Sequence, residues 1–117
     1  MKLIIAGSRN FTDYKKLCEE CNHILQDQTN IEIVSGAHYK GADNLGEKYA
    51  AEKGFPLTKF PADWNRYGKS AGPKRNQQMA NYADVLIAFW DGKSKGSLNM
   101  INEAKKTNLS IKVIHDE

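Results

Sequence analysis

Five short apolar runs, at residues 2–6, 31–35, 55–60, 84–90 and 110–114, are separated by longer stretches whose apolar residues recur at helical spacing. That alternation constrains the fold more than any other feature. A strand followed by a crossover helix and a further strand in the same sheet runs parallel to the first, with helices covering both faces. The expectation is a doubly wound α/β domain with a five-stranded parallel sheet. The run at 55–60 carries Pro56 and Lys59, which suit an edge, whereas 84–90 is the strongest strand and suits the centre. The expected strand order is therefore 3-2-1-4-5, which puts the switch point between the first and fourth strands. Ligands of such sheets bind beyond the carboxyl ends of the strands at that point.

The helical stretches can be placed individually. Tyr14, Leu17, Cys18, Cys21, Ile24 and Leu25 form one apolar stripe, with Thr12 or Asp13 as its N-cap. The Cys18–Cys21 pair falls in the middle of that stripe rather than at a helix start after a strand, so both thiols read as core and not as a redox or metal motif. A second helix begins near Asp43, turns Leu45, Tyr49 and Ala50 inward and stops at Gly54. Residues 61–70 read as a long loop, and Pro73 as the first residue of a third helix carrying Arg75, Met79, Ala80 and Ala83. A fourth, with Met100, Ile101 and Ala104 inward, ends near Asn108. No repeat or linker divides residues 1–117, so one domain is expected.

Three polar, small-residue loops leave the strands at one rim: 7–10, 35–43 and 91–97. Loops of this kind let backbone N–H groups approach an anion with a helix N-terminus behind them. Arg9, Lys40, Lys69, Lys74, Arg75, Lys93 and Lys95 lie in or beside them. Arg75 stands out, because a cation in the first turn of a helix opposes the helix dipole and suggests an anionic partner. Ser35, Ser94 and Ser97 are candidate donors to phosphate, although Ser97 reads first as an N-cap and Asp43 reads equally well as one. Asp91 is the best-placed carboxylate for ribose hydroxyls or acid–base work. Trp64, in the long loop with Asp63, either stacks on a base or closes the core, and His38 is the one histidine near the rim.

Composition narrows the function classes. A net charge of +3 over 117 residues fits a small anionic ligand better than nucleic acid. No apolar run is long enough to span a membrane, and the opening residues read as a first strand rather than a signal peptide, so a cytoplasmic protein is expected. There is no G-x-x-x-x-G-K-[ST], no G-x-G-x-x-G, no G-x-S-x-G and no metal-ligand cluster. Neither a metal nor a cofactor is expected.

Taken together, Gly7-Ser8-Arg9, Ser35-Gly36-Ala37, Gly41-Ala42-Asp43, Pro61-Ala62-Asp63-Trp64, Ala71-Gly72-Pro73-Lys74-Arg75-Asn76, Asp91-Gly92 and Ser94-Lys95-Gly96-Ser97 resemble the small YspA-like proteins. These belong to the SLOG superfamily, with the Smf/DprA DNA-processing proteins and the LOG (lonely guy) phosphoribohydrolases. The resemblance implies a Rossmann-like three-layer α/β/α sandwich. It also implies a nucleotide or nucleotide-derived, phosphoribosyl-type ligand at the Gly-rich loops, bound by Gly7, Ser8, Arg9, Ser35, Gly36, Ala37, Lys40, Gly41, Asp43, Asp63, Trp64, Arg75, Asn76, Asp91, Gly92, Ser94, Gly96 and Ser97. If a reaction occurs, Arg75 and Asp91 are the candidate catalytic residues. The phosphoribohydrolases carry a lysine where Asn76 stands and a catalytic glutamate where Met100 stands. The expected function is thus ligand binding, in the manner of a sensor. The alternatives are hydrolysis of an N-glycosidic or phosphate-ester bond, and DNA binding in the manner of Smf/DprA. Relatives in this superfamily often build their sites at a dimer interface, so a homodimer is compatible with the resemblance.

Overall fold

The computed structural model describes residues 1–116. Strands β1 (Lys2–Gly7), β2 (Glu32–Ser35), β3 (Leu57–Lys59), β4 (Val85–Trp90) and β5 (Ser110–His115) form one sheet in the order β3-β2-β1-β4-β5. Every neighbouring pair is parallel; Gly7 lies opposite Phe89 where β1 and β4 end together. The expected class and strand order are both observed.

Side chains of a strand alternate between faces, and the two layers follow from that period of two. Leu3 and Ile5, with Ile33, Ile87 and Phe89, meet α1 (Tyr14–Leu25) and α2 (Ala42–Lys53) on one face. Ile4 and Ala6, with Val34, Leu86 and Ala88, meet α4 (Ala71–Tyr82) and α5 (Lys95–Lys106) on the other. Leu17, Cys21 and Leu25 are the buried stripe of α1, and Cys18 is half-buried beside them. Burial pushes the Cys21 thiol up to about 12, which keeps it protonated and inert. No helix among the described residues is long and apolar enough to cross a membrane.

Several local expectations are corrected. The segment 61–70 is not a loop throughout: Asp63 accepts a hydrogen bond from the Arg66 N–H and caps a short helix, α3 (Trp64–Tyr67), which continues as a 3-10 turn over Gly68–Ser70. That turn runs directly into α4, so α4 begins at Ala71 and Pro73 sits third. A proline costs nothing there, because the first-turn N–H groups have no intrahelical partner. Arg75 consequently falls in the second turn of α4, and the expectation that it opposes the helix dipole in the first turn does not hold. The N-cap of α5 is Ser94, not Ser97. The N-cap of α2 is Gly41, so Asp43 is not a cap either.

Candidate functional site

The chain leaves β1 toward β2 on one side and enters β4 on the other, which opens a cleft at their carboxyl ends. Gly7, Arg9, His38, Lys40, Asp43, Arg75, Asn76, Ser94, Gly96 and Ser97 line it, with Ala6, Met79 and Met100 as apolar wall. All three rim loops reach it.

Ser8 fastens those loops together. Its N–H donates to the Phe89 carbonyl at 2.9 Å, and its carbonyl accepts from Ala42 at 3.3 Å. Its hydroxyl accepts from the Asp91 N–H at 3.1 Å. Gly41 crosses this junction with φ of 77°, and a Cβ there would stand 2.4 Å from the Ser8 carbonyl oxygen. Only glycine meets both demands.

A second set of bonds spans the top of the sheet. Arg75 donates from Nη1 to the Gly36 carbonyl and from Nε to Asn76 Oδ1 at 2.9 Å. Asn76, buried, donates from Nδ2 to Asn99 Oδ1 at 2.9 Å, on α5. The loop after β2, helix α4 and the start of α5 are therefore one hydrogen-bonded unit. Asn99 had no signal in the sequence, since a polar residue on an exposed-looking turn of a helix reads as surface.

The carboxylates divide clearly. Asp91 Oδ1 accepts from the N–H groups of Lys93 and Ser94, both at 2.8 Å, and these bonds hold its carboxyl below the usual range. Its Oδ1 is absorbed in folding its own loop, and Asp91 is not among the residues lining the cleft. Asp63 is spent on capping α3 and likewise lies outside the cleft. Asp43 does line the cleft. Burial pushes its carboxyl up, opposed by the His38 N–H at 3.2 Å and by the nearby Arg75. Met100 is almost wholly buried and offers no titratable group.

The cations also differ in kind. Burial lowers the Arg75 pKa; the neighbouring Asp43 raises it and Arg9 lowers it further. Arg9 is exposed and forms no ion pair with a described residue. Ser35, by contrast, is committed within the protein. Its hydroxyl donates to Glu47 at 2.8 Å and accepts from the Ala37 N–H at 3.0 Å, so it is no free donor for a phosphate. Gly36, Ala37 and Trp64 line an adjoining cavity rather than the cleft itself. Trp64 is 53% exposed, so it does not close the core. Gly92, with φ of 80°, shapes the loop after β4 from outside the cleft.

A five-stranded parallel sheet of this order, with its rim loops gathered at the β1/β4 switch point, defines a Rossmann-like α/β protein. DNA processing protein A (DprA) from Streptococcus pneumoniae shares that fold: the TM-score is 0.73 at 21% identity, over 99% of this chain and 50% of DprA. The present chain thus spans about half the length of that protein. The Gene 61 protein of Mycobacterium phage D29 is 30% identical over 117 residues, covering 94% of this chain and 93% of the phage protein. Residues 1–67 match the YspA, cpYpsA-related SLOG family (YAcAr). The chain belongs to that family.

Proposed function

We propose that the protein binds a nucleotide or nucleotide-derived, phosphoribosyl-type ligand, with the phosphate in the cleft between the carboxyl ends of β1 and β4. The observation that carries this reading is that Arg9 and Arg75 both line a cleft in which Asp43 is the one carboxylate among the described residues. Two guanidinium groups lining one cleft are relieved by a bound dianion, and Arg9 has no ion-pair partner among the described residues to give up. Helix α5 begins beside the cleft, whose lining includes Ser94, Gly96 and Ser97 of its cap and first turn. Such a site suits a small sensor of nucleotide ligands.

The test is calorimetric titration with ribose 5-phosphate and nucleoside 5′-monophosphates, on the native protein and on Arg9→Ala. Loss of one charge-assisted contact weakens binding at least about tenfold. The thermal midpoint does not fall, because Arg9 forms no ion pair with a described residue and its removal relieves the charge on Arg75. Equal affinity of the two proteins would remove the phosphate from this cleft.

Asp43 favours a second reading, hydrolysis of an N-glycosidic or phosphate-ester bond. It is the carboxylate in the cleft wall, and burial makes it more basic than an ordinary aspartate. Release of free base from a panel of nucleoside monophosphates, abolished by Asp43→Asn, is the outcome that reading requires. The nucleic-acid reading needs a continuous basic stripe. Lys69, Lys74, Lys93 and Lys95 are exposed, but Arg75 between them is half-buried and bonded to Gly36, which interrupts the stripe.

A further inference from the structure

The large hydrophobic side chains left exposed are Tyr39, Trp64, Tyr67 and Leu98. All four lie on segments that follow the carboxyl ends of β2, β3 and β4, the same rim that carries the cleft. Two of them, Tyr39 at 78% exposure and Trp64 at 53%, line a second cavity beside the cleft. Arg9, His38 and Arg75 line both spaces, so the two share a wall. Neither ring is absorbed by the core. Tyr39 stacks on His38, with centroids 4.8 Å apart, and the Lys40 ammonium lies 5.8 Å from its centroid. Trp64 is held on the rim by α3, which Asp63 caps, and its ring edge lies against α4 at Gly72, where a Cβ would stand 3.4 Å from Cη2.

We infer that this second cavity is a subsite for a planar aromatic ring, and that the ligand spans both spaces, its phosphate in the cleft and a nucleobase between the Tyr39 and Trp64 walls. The inference rests on the phosphate reading above and names the other half of the same ligand. A sugar phosphate alone would leave two aromatic rings in water for no gain. A base gives them a partner, since every nucleobase has a π-face and stacking on aromatic side chains is favourable whichever base it is. The guanidinium of Arg9, on the shared wall and without an ion pair to a described residue, can lie against the same ring system.

The experiment compares ribose 5-phosphate with the four nucleoside 5′-monophosphates by calorimetry, on the native protein, Trp64→Ala and Trp64→Phe. At least one monophosphate should bind about tenfold or more tighter than ribose 5-phosphate. Trp64→Ala should erase that advantage while leaving ribose 5-phosphate affinity within about twofold, and Trp64→Phe should restore most of it. Two results overturn the subsite while leaving the phosphate site standing: ribose 5-phosphate binds as well as every monophosphate, or Trp64→Ala weakens all the ligands alike. Failure of ribose 5-phosphate and every monophosphate to bind overturns the phosphate reading, and the subsite with it.

Discussion

Arg75 donates a hydrogen bond from Nη1 to the carbonyl oxygen of Gly36, so a helix that covers one face of the sheet holds the loop that feeds the helix on the opposite face. The contact is close: a Cβ at residue 36 would lie 2.8 Å from Nη1 and 2.8 Å from Asp43 Oδ2. Gly36 is thus the gap through which arginine and aspartate reach the same stretch of backbone. The arginine that the sequence marks as a phosphate clamp is first of all a brace for the site.

That double role separates Arg75 from Arg9. Arg75→Ala should lower both stability and ligand affinity, because it frees the Gly36 carbonyl and unties Asn76. The expected loss of stability is about 1–3 kcal/mol. Urea denaturation and calorimetry on both variants check this. Should Arg75→Ala lose affinity with no change in the denaturation midpoint, the bracing role would be refuted.

Ala37 carries a φ of 62°. A left-handed backbone costs an L-residue about 1–2 kcal/mol, partly offset by the flexibility glycine adds to the unfolded chain. Ala37→Gly should therefore stabilise the protein by up to about 1 kcal/mol. A denaturation midpoint that stays put or falls would show that the strain is relieved elsewhere.

Gly41→Ala should act in the opposite sense and more strongly. The added methyl would meet the Ser8 carbonyl at 2.4 Å and Arg9 Cα at 2.5 Å, both backbone atoms that cannot rotate away. A loss of about 2–4 kcal/mol is expected, with weaker ligand binding as the loop moves off Ser8. Circular dichroism melts give the answer directly; a native midpoint would mean that the loops separate without penalty.

Asp91 gives a pH signature. Its carboxyl titrates below the ordinary value of 3.8 because the Ser94 and Lys93 N–H groups bond its ionised form. Its contribution is fully present above that value and is lost as the pH falls through the depressed folded-state pKa. Asp91→Asn should therefore flatten the acid limb of the stability–pH curve. An acid limb of native steepness in the variant would assign that limb to other carboxylates.

Asp43 carries the opposite sign. Its carboxyl is raised by burial, so the folded state holds that proton more tightly than the unfolded chain does. Stability falls as the pH rises from 3.8 through the folded-state pKa, while Asp43 ionises in a confined site. Asp43→Asn should remove that fall and raise affinity for a phosphate ligand a few-fold, since one negative charge leaves the cleft. Reduced affinity in the variant would mean that Asp43 contacts the ligand favourably.

Much of the fold was legible in the chain. Alternation of apolar runs with helical stripes implied a parallel sheet, and the proline and lysine of the third run placed it at an edge, which sufficed for the strand order. The three rim loops were legible for the same reason: small and polar residues interrupt the apolar pattern wherever a strand ends. Trp64 was singled out, but its two roles could be told apart only by burial. Ser35 and Asp91 show what such reading leaves out. Each has the right chemistry at the right end of a strand, yet Ser35 is bonded to Glu47, twelve residues on, and Asp91 to its own loop.

The sequence by itself determined where the five strands and the four long helices lie, though not the short helix at Trp64–Tyr67, how the strands are ordered in the sheet, and which end of the sheet carries polar loops. Those properties depend on local period and turn chemistry, which neighbouring residues encode. Only the tertiary structure decided which polar side chains remain available. Arg75 is tied to Gly36 across 39 positions of chain, and Asn76 to Asn99 across 23. Whether a hydrogen-bonding group faces a ligand or another part of the protein depends on what the fold brings within about 3 Å of it, and no local pattern reports that distance.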